Sequence, residues 1–166
     1  MYNIYAGNEN FGAKKTYKRL YQRLSNIFSS SYDVIYFPYD WRMSCADAAQ
    51  KLNTYINCSN YDKVVLVAHS MGGLVSANYL AIGTQQRLKV EKLIALGSPF
   101  LGATELIRVY TNGMDLGFPG GLVANDDIKN IMPNIKSVYE LLPTQKWFEL
   151  TNKKVFTYTK LYTVPG

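Results

Sequence analysis

Val64-Val65-Leu66-Val67-Ala68-His69-Ser70-Met71-Gly72-Gly73-Leu74-Val75 passes from an unbroken apolar stretch into a helix-compatible one, with a histidine and a serine at the junction. Lys63 to Ala68 is apolar on both faces, the pattern of a central parallel strand covered by helices on each side. Met71 to Ile82 reads as a largely buried helix. Ser70 therefore stands at a sharp strand-to-helix turn, the setting of the small-x-Ser-x-Gly arrangement that exposes a serine hydroxyl at the end of a sheet. Such a turn strains the serine backbone, so the residues two before and two after must be small; here they are Ala68 and Gly72. The bland alternative is a serine that merely caps a helix. Gly72 and Gly73 weigh against it, because two glycines weaken a helix start unless the helix must pack closely and leave room for a substrate. In the sharper reading the Met71 N–H, at the positive end of the helix dipole, is an oxyanion donor, with Ala68, His69, Gly72 and Gly73 shaping the turn.

Outward from this turn the chain alternates. Leu20, Tyr21, Leu24, Ile27 and Phe28 follow Tyr17 with helical spacing, which predicts a helix over roughly residues 14–29 ended by Ser29-Ser30-Ser31. Asp33 to Phe37 is β-branched and aromatic and stops at Pro38, which predicts a short strand and a loop to Met43. Ser44 is placed to cap a second helix with the buried stripe Cys45, Ala48, Ala49, Leu52, Tyr55 and Ile56, and Asp47 approximates a capping box. Lys92 to Gly97 reads as a second buried strand. This order of helix, strand, helix, strand, helix, strand specifies an α/β fold, a parallel sheet flanked by helices with right-handed crossovers. Sites in such sheets form at the carboxyl ends of the strands, just after Ala68 and Gly97.

Beyond Gly102 the pattern loosens into a short helix near Glu105 to Tyr110, a glycine-rich stretch Gly113 to Gly121, and the segments Asp126 to Met132 and Asn134 to Leu142 around Pro133. Residues 1–104 are therefore expected to form the core segment and 105–166 the start of a mainly helical lid, cut short at its end. Val155 to Val164 alternates weakly, like a strand.

Composition bounds the function. With 166 residues, 48% hydrophobic and 18% charged, the chain has material for one domain with a core and is no disordered tail. A net charge of +6 and a pI near 9.2 favour anionic surfaces without requiring them. No apolar run approaches the roughly 18 to 20 residues of a membrane span, and Met1 to Tyr5 lacks the features of a secretion signal, so the expectation is a soluble chain without an address. Lys14, Lys15, Lys18, Arg19 and Arg23 invite a nucleic-acid or membrane-surface reading. They lie on the polar side of an amphipathic helix with no base-reading motif, so no nucleic-acid partner is expected; peripheral membrane contact stays open. Cys45 and Cys58 have no CxxC spacing and no second histidine to complete a metal site, and about 20 Å of intervening helix would forbid a disulfide, so no metal or other cofactor is implied.

Four separated stretches carry a resemblance: Phe37-Pro38-Tyr39-Asp40-Trp41-Arg42, Val67-Ala68-His69-Ser70-Met71-Gly72-Gly73, Leu96-Gly97-Ser98-Pro99-Phe100-Leu101-Gly102, and Met132-Pro133-Asn134 with Ser137 to Pro143. In this order they resemble the lecithin:cholesterol acyltransferase-like branch of the α/β-hydrolases, in its bacterial lipase or acyltransferase form, over about residues 14–148. Ser98 is a mild departure from the more usual threonine. The resemblance implies a partial α/β-hydrolase fold in which Ser70 takes an acyl group from a lipid or ester substrate and Met71 N–H helps hold the oxyanion. The catalytic Asp and His of the family lie beyond the equivalent of Leu150, where this chain has no histidine. The sole histidine, His69, adjoins Ser70 on a tight turn where the two side chains diverge, so it reads as a packing residue rather than a base. Asp115, Asp126 and Asp127 read as solvated lid residues. Asp40, Trp41 and Arg42 have two readings, a buried ion pair and stacking contact that holds the loop, which the residues favour, or the wall of an acyl or head-group pocket. A second oxyanion donor would come from an earlier strand and loop, for which Tyr2 to Ala6 and Gly7 to Asn10 are candidates. The expected activity is that of a serine-dependent acyl-ester hydrolase or O-acyltransferase, inactive as this chain alone. The alternative is a non-catalytic remnant that binds an apolar ligand or a protein partner.

Overall fold

The computed structural model describes residues 12–112 and 130–151. The expectations placed on Tyr2 to Asn10, Gly113 to Gly121, Asp115, Asp126, Asp127 and Val155 to Val164 lie outside the described residues. The chain divides into two compact units between Tyr39 and Asp40, and the described residues from 105 onward belong with residues 40–104 in the second unit.

The first unit is built on helix α1, Gly12–Phe28. It ends where the Phe28 carbonyl accepts from the N–H groups of Ser31 at 2.9 Å and Tyr32 at 2.8 Å, in the serine turn. Phe28 then meets the edge of Tyr32, with ring centroids 6.1 Å apart, and Tyr17 lies 6.5 Å from Tyr36. The strand expected over Asp33 to Phe37 does not form: these residues join no ladder. β-propensity expresses fit to a pleated surface beside a paired neighbour, and without a paired neighbour the same side chains define only irregular chain.

In the second unit, α2 spans Cys45–Asn57, β1 Val64–His69, α3 Met71–Ile82, α4 Thr84–Lys89 and β2 Val90–Leu96. Ser44 caps α2 as the sequence predicts, its hydroxyl accepting from the Asp47 N–H at 3.0 Å. Cys45, Ala48, Ala49, Leu52 and Ile56 are buried on one face of α2, and α3 packs on it through its own buried positions, Val75 and Tyr79 among them. β1 and β2 are parallel, with Leu66 opposite Leu93 and Ala68 opposite Ala95, and with a register shift between Val64 and Val65.

This two-stranded parallel sheet with flanking helices gives the α/β class. Alternation along each strand puts Leu66, Ala68 and Leu93 on one face, and these are buried or half-buried. Val67, Ile94 and Leu96 on the other face stay 40–43% exposed. α4 was not expected, and it buries no residue, so its polar sequence offers no apolar rhythm to read.

After β2 come α5, Glu105–Asn112, a 3₁₀ turn at Met132–Asn134, α6, Lys136–Leu141, and α7, Gln145–Thr151. Val109, Met132, Ile135 and Val138 form a small core of their own, with Leu106 against it. This part is tied to the α/β layer. Glu140 Oε2 accepts from the Cys45 N–H at 2.6 Å, so a carboxylate of α6 serves an N–H at the start of α2 across 95 positions. Lys136 Nζ lies 3.7 Å from Asp47 on the same turn.

Both cysteines are free, with Cys45 buried and Cys58 exposed. Cys58 is thus no core residue. Burial first, and the Glu140 carboxylate second, push the Cys45 thiol up to about 12. Because the thiolate is the reacting form, one thiol per chain should react promptly with a disulfide reagent near pH 8. Cys58→Ser should abolish that fast phase and leave Cys45 to react only on unfolding; fast reaction in Cys58→Ser would contradict this burial.

Candidate active site at the end of strand β1

Two serines open helices in the second unit, and the backbone treats them differently. Ser44 has φ −63° and ψ 152°, and its hydroxyl caps α2. Ser70 has φ 52° and ψ −126°, and its hydroxyl makes no capping bond to α3. Ser70 is the only non-glycine residue with positive φ among the described residues. A side chain held there costs on the order of 1–3 kcal/mol, which the surroundings must over-determine.

The surroundings do so from both strands. The Ser70 N–H donates to the Leu96 carbonyl at 2.9 Å, carrying the β1–β2 ladder one residue past His69. The Ser70 carbonyl in turn accepts from the Gly73 N–H at 3.0 Å, which closes the first turn of α3. Ala68 and Met71, on either side, are each 8% exposed. Ala68 shares its face of β1 with Leu66. Met71 is the first residue of α3, and its N–H is one of the four for which a helix supplies no acceptor. His69 closes β1 and is exposed, on the opposite face of the strand from Ala68.

Gly73 has a specific reason to be glycine. A Cβ there would overlap the Ser98 Oγ and Cβ, and would lie 3.3 Å from the Phe100 ring tip. The first turn of α3 is thereby brought against the loop after β2, so the two strand ends expected to carry a site are in contact. Among the described residues, the buried Ser98 hydroxyl has no hydrogen-bond partner. That loop is held in turn by the segment after α6. The Ala103 N–H donates to the Leu141 carbonyl at 2.8 Å, and the Thr144 N–H to the Leu101 carbonyl at 2.9 Å. Gly102, at φ 91°, lies so close to Leu142 and Pro143 that no Cβ would fit.

Asp40, Trp41 and Arg42 form a loop of a different kind. Arg42 Nε donates to Asp40 Oδ1 at 2.9 Å and its terminal nitrogen to Oδ2 at 2.7 Å, a bidentate pair. These hydrogen bonds hold the Asp40 carboxyl down at about 2. The expected ion pair is present, yet it is solvated rather than buried: the Arg42 side chain is 66% exposed, and Trp41 is 56% exposed. No group of three or more His, Cys, Asp or Glu side chains able to hold a metal occurs among the described residues.

The contacts of Gly73 with Ser98, and of Glu140 with the start of α2, were not foreseen. Each joins residues far apart in sequence. For the first, the paired glycines signalled close packing of the helix start but not the residue it packs against.

Residues 8–162 match the family model described as Lecithin:cholesterol acyltransferase. The chain is also 29% identical, over 127 residues, to Lecithin-cholesterol acyltransferase-like 4 of Arabidopsis thaliana. That match takes in 67% of this chain and 23% of the plant protein, so the chain spans about a quarter of the length of that relative.

The fit at Gly73 generates a test. Gly73→Ala gains helix propensity of up to about 1 kcal/mol but overpacks against Ser98, which typically costs about 1–3 kcal/mol. Denaturant unfolding should show net destabilisation, and Ser98→Gly in the same chain should recover part of it; simple additivity of the two changes would contradict the contact.

Proposed function

The chain belongs to the lecithin:cholesterol acyltransferase family, and from that premise we propose that Ser70 is the nucleophile of acyl transfer from a lipid ester on an α/β-hydrolase scaffold. The observation that carries this reading is the backbone of Ser70, strained and without a capping bond where an ordinary helix-opening serine would cap. In the proposed reaction the Ser70 Oγ attacks the ester carbonyl, and the negative charge that develops on the carbonyl oxygen is met by the Met71 N–H at the start of α3. The bond from the acyl carbon to the leaving alcohol then breaks. The serine proton ends on that alcohol, and the acyl group stays on Ser70 until water or an alcohol takes it. Phe100 and Ser98, against the first turn of α3, are placed to shape the room beside the reacting carbon. The described residues from α5 to α7 act in this reading as a cap docked through Glu140.

Proton transfer is the unfilled role. The sequence holds one histidine, His69, on the face of β1 opposite Ala68, and we assign it to the turn rather than to catalysis. A serine hydroxyl without a base is a weak nucleophile, and removal of triad members leaves only a residual rate of roughly 10³–10⁴-fold over water. The single histidine also supports a second reading, in which the chain is a non-catalytic member that binds an apolar ligand.

Imidazole in solution can stand in for the missing base. The chain alone should turn over p-nitrophenyl esters near background, and added imidazole should raise the rate by an increment that Ser70→Ala removes. An imidazole increment identical in Ser70→Ala would reject Ser70 as nucleophile and favour the second reading. Fast turnover without imidazole, abolished by Ser70→Ala, would show that the chain holds a base of its own.

A further inference from the structure

Gln86 bridges α4 to the end of α2: its Nε2 donates to Asn53 Oδ1 at 2.9 Å, and the same oxygen accepts from Asn57 Nδ2 at 3.2 Å. Beside this bridge lies a pocket of about 200 Å³ lined by Asn57, Tyr79, Gln85, Gln86 and Lys89. These residues come from α2, α3 and α4, all within the second unit. A water molecule claims roughly 30 Å³, so the space admits a group of several heavy atoms. Pockets for drug-sized ligands begin near about 300 Å³, so that group is small.

The lining carries charge of one sign. Lys89 is half-buried, and among the described residues no carboxylate pairs with it. α3 and α4 hold no acidic residue, and the one acid of α2, Asp47, stands in its first turn, at the far end from Asn57. Tyr79 is wholly buried, and among the described residues its hydroxyl has no hydrogen-bond partner. A hydroxyl left unpaired in the interior is costly and calls for a partner from outside the fold. Burial also raises the Tyr79 pKa, so the group keeps its proton and can donate. The amides of Asn57 and Gln85 add further N–H donors. One ammonium among neutral donors suits a small oxyanion. A carboxylate brings two acceptor oxygens to such a set, and a phosphate group three or more. We propose that this pocket binds a phosphate group, as the free ion or as a small monoester, on Lys89 and Tyr79. Tyr79 lies about 14 Å along α3 from Ser70. The proposal uses none of the residues assigned to acyl transfer and stands or falls independently of them.

Amide NMR spectra of the chain, titrated at constant ionic strength with inorganic phosphate and with glycerol phosphate, test it. Backbone signals of Asn57, Tyr79 and the residues of α4 should shift and saturate, and sodium acetate should bind at least about tenfold more weakly. Tighter binding of glycerol phosphate would identify a monoester as the occupant, and equal or tighter binding of inorganic phosphate the free ion. Lys89→Gln should weaken binding of both at least about tenfold, whereas Lys51→Gln, exposed on α2, should leave it unchanged. Tyr79→Phe should weaken binding as well. Without phosphate, however, that variant should unfold at no lower denaturant concentration than the parent, because it removes a hydroxyl with no partner in the fold. Absence of a saturable shift with either phosphate, acetate binding as tight as phosphate, or Lys89→Gln binding like the parent would overturn the proposal. Destabilisation by Tyr79→Phe without phosphate would overturn it too, since the hydroxyl would then have a partner within the chain.

Discussion

The backbone of Ser70, at φ 52°, is the constraint to which the rest of the α/β unit answers. A non-glycine residue held there is unstable by itself, so its neighbours must be fixed before it can be. The Leu96 carbonyl fixes its N–H from β2, and the first turn of α3 fixes its carbonyl through Gly73. Gly73 can do this only because it has no Cβ, which lets α3 start in contact with Ser98. Local strain at one serine is thus compensated by parallel pairing and by close packing between two loops that share a strand end.

That packing depends on a second tier. The loop of residues 98–104 is pinned by backbone hydrogen bonds to Leu141 and from Thr144, and α6 reaches back to the start of α2 through Glu140. The residues after β2 are therefore tied to the end of the sheet where Ser70 stands. In the proposed function this arrangement places cap, nucleophile and oxyanion donor on one connected framework. The bidentate pair of Asp40 and Arg42 holds its own loop, as the residues favour, but in water rather than buried.

The sequence was most readable where local rules and packing agree. The cap at Ser44, the extent of α3 from Met71 to Ile82 and the strand-turn-helix around Ser70 all follow from short-range signals: a hydroxyl, a period, a pair of glycines. Asp33 to Phe37 shows the opposite case, because β-propensity names residues that suit a ladder without supplying the partner. α4 was invisible since it buries nothing. At the site, sequence reasoning reached Ser70 and Met71 through the turn. It could not reach the contact of Gly73 with Ser98, which exists only once the two strands are side by side.

The central claim is that this strained serine carries the acyl group, and the most direct measurement is to trap that intermediate. The chain incubated with an activated acyl ester and imidazole, quenched in acid and digested, should yield by mass spectrometry an acyl adduct on the peptide that contains Ser70, absent from Ser70→Ala. An adduct on other side chains only, at the same level in both proteins, would contradict the account.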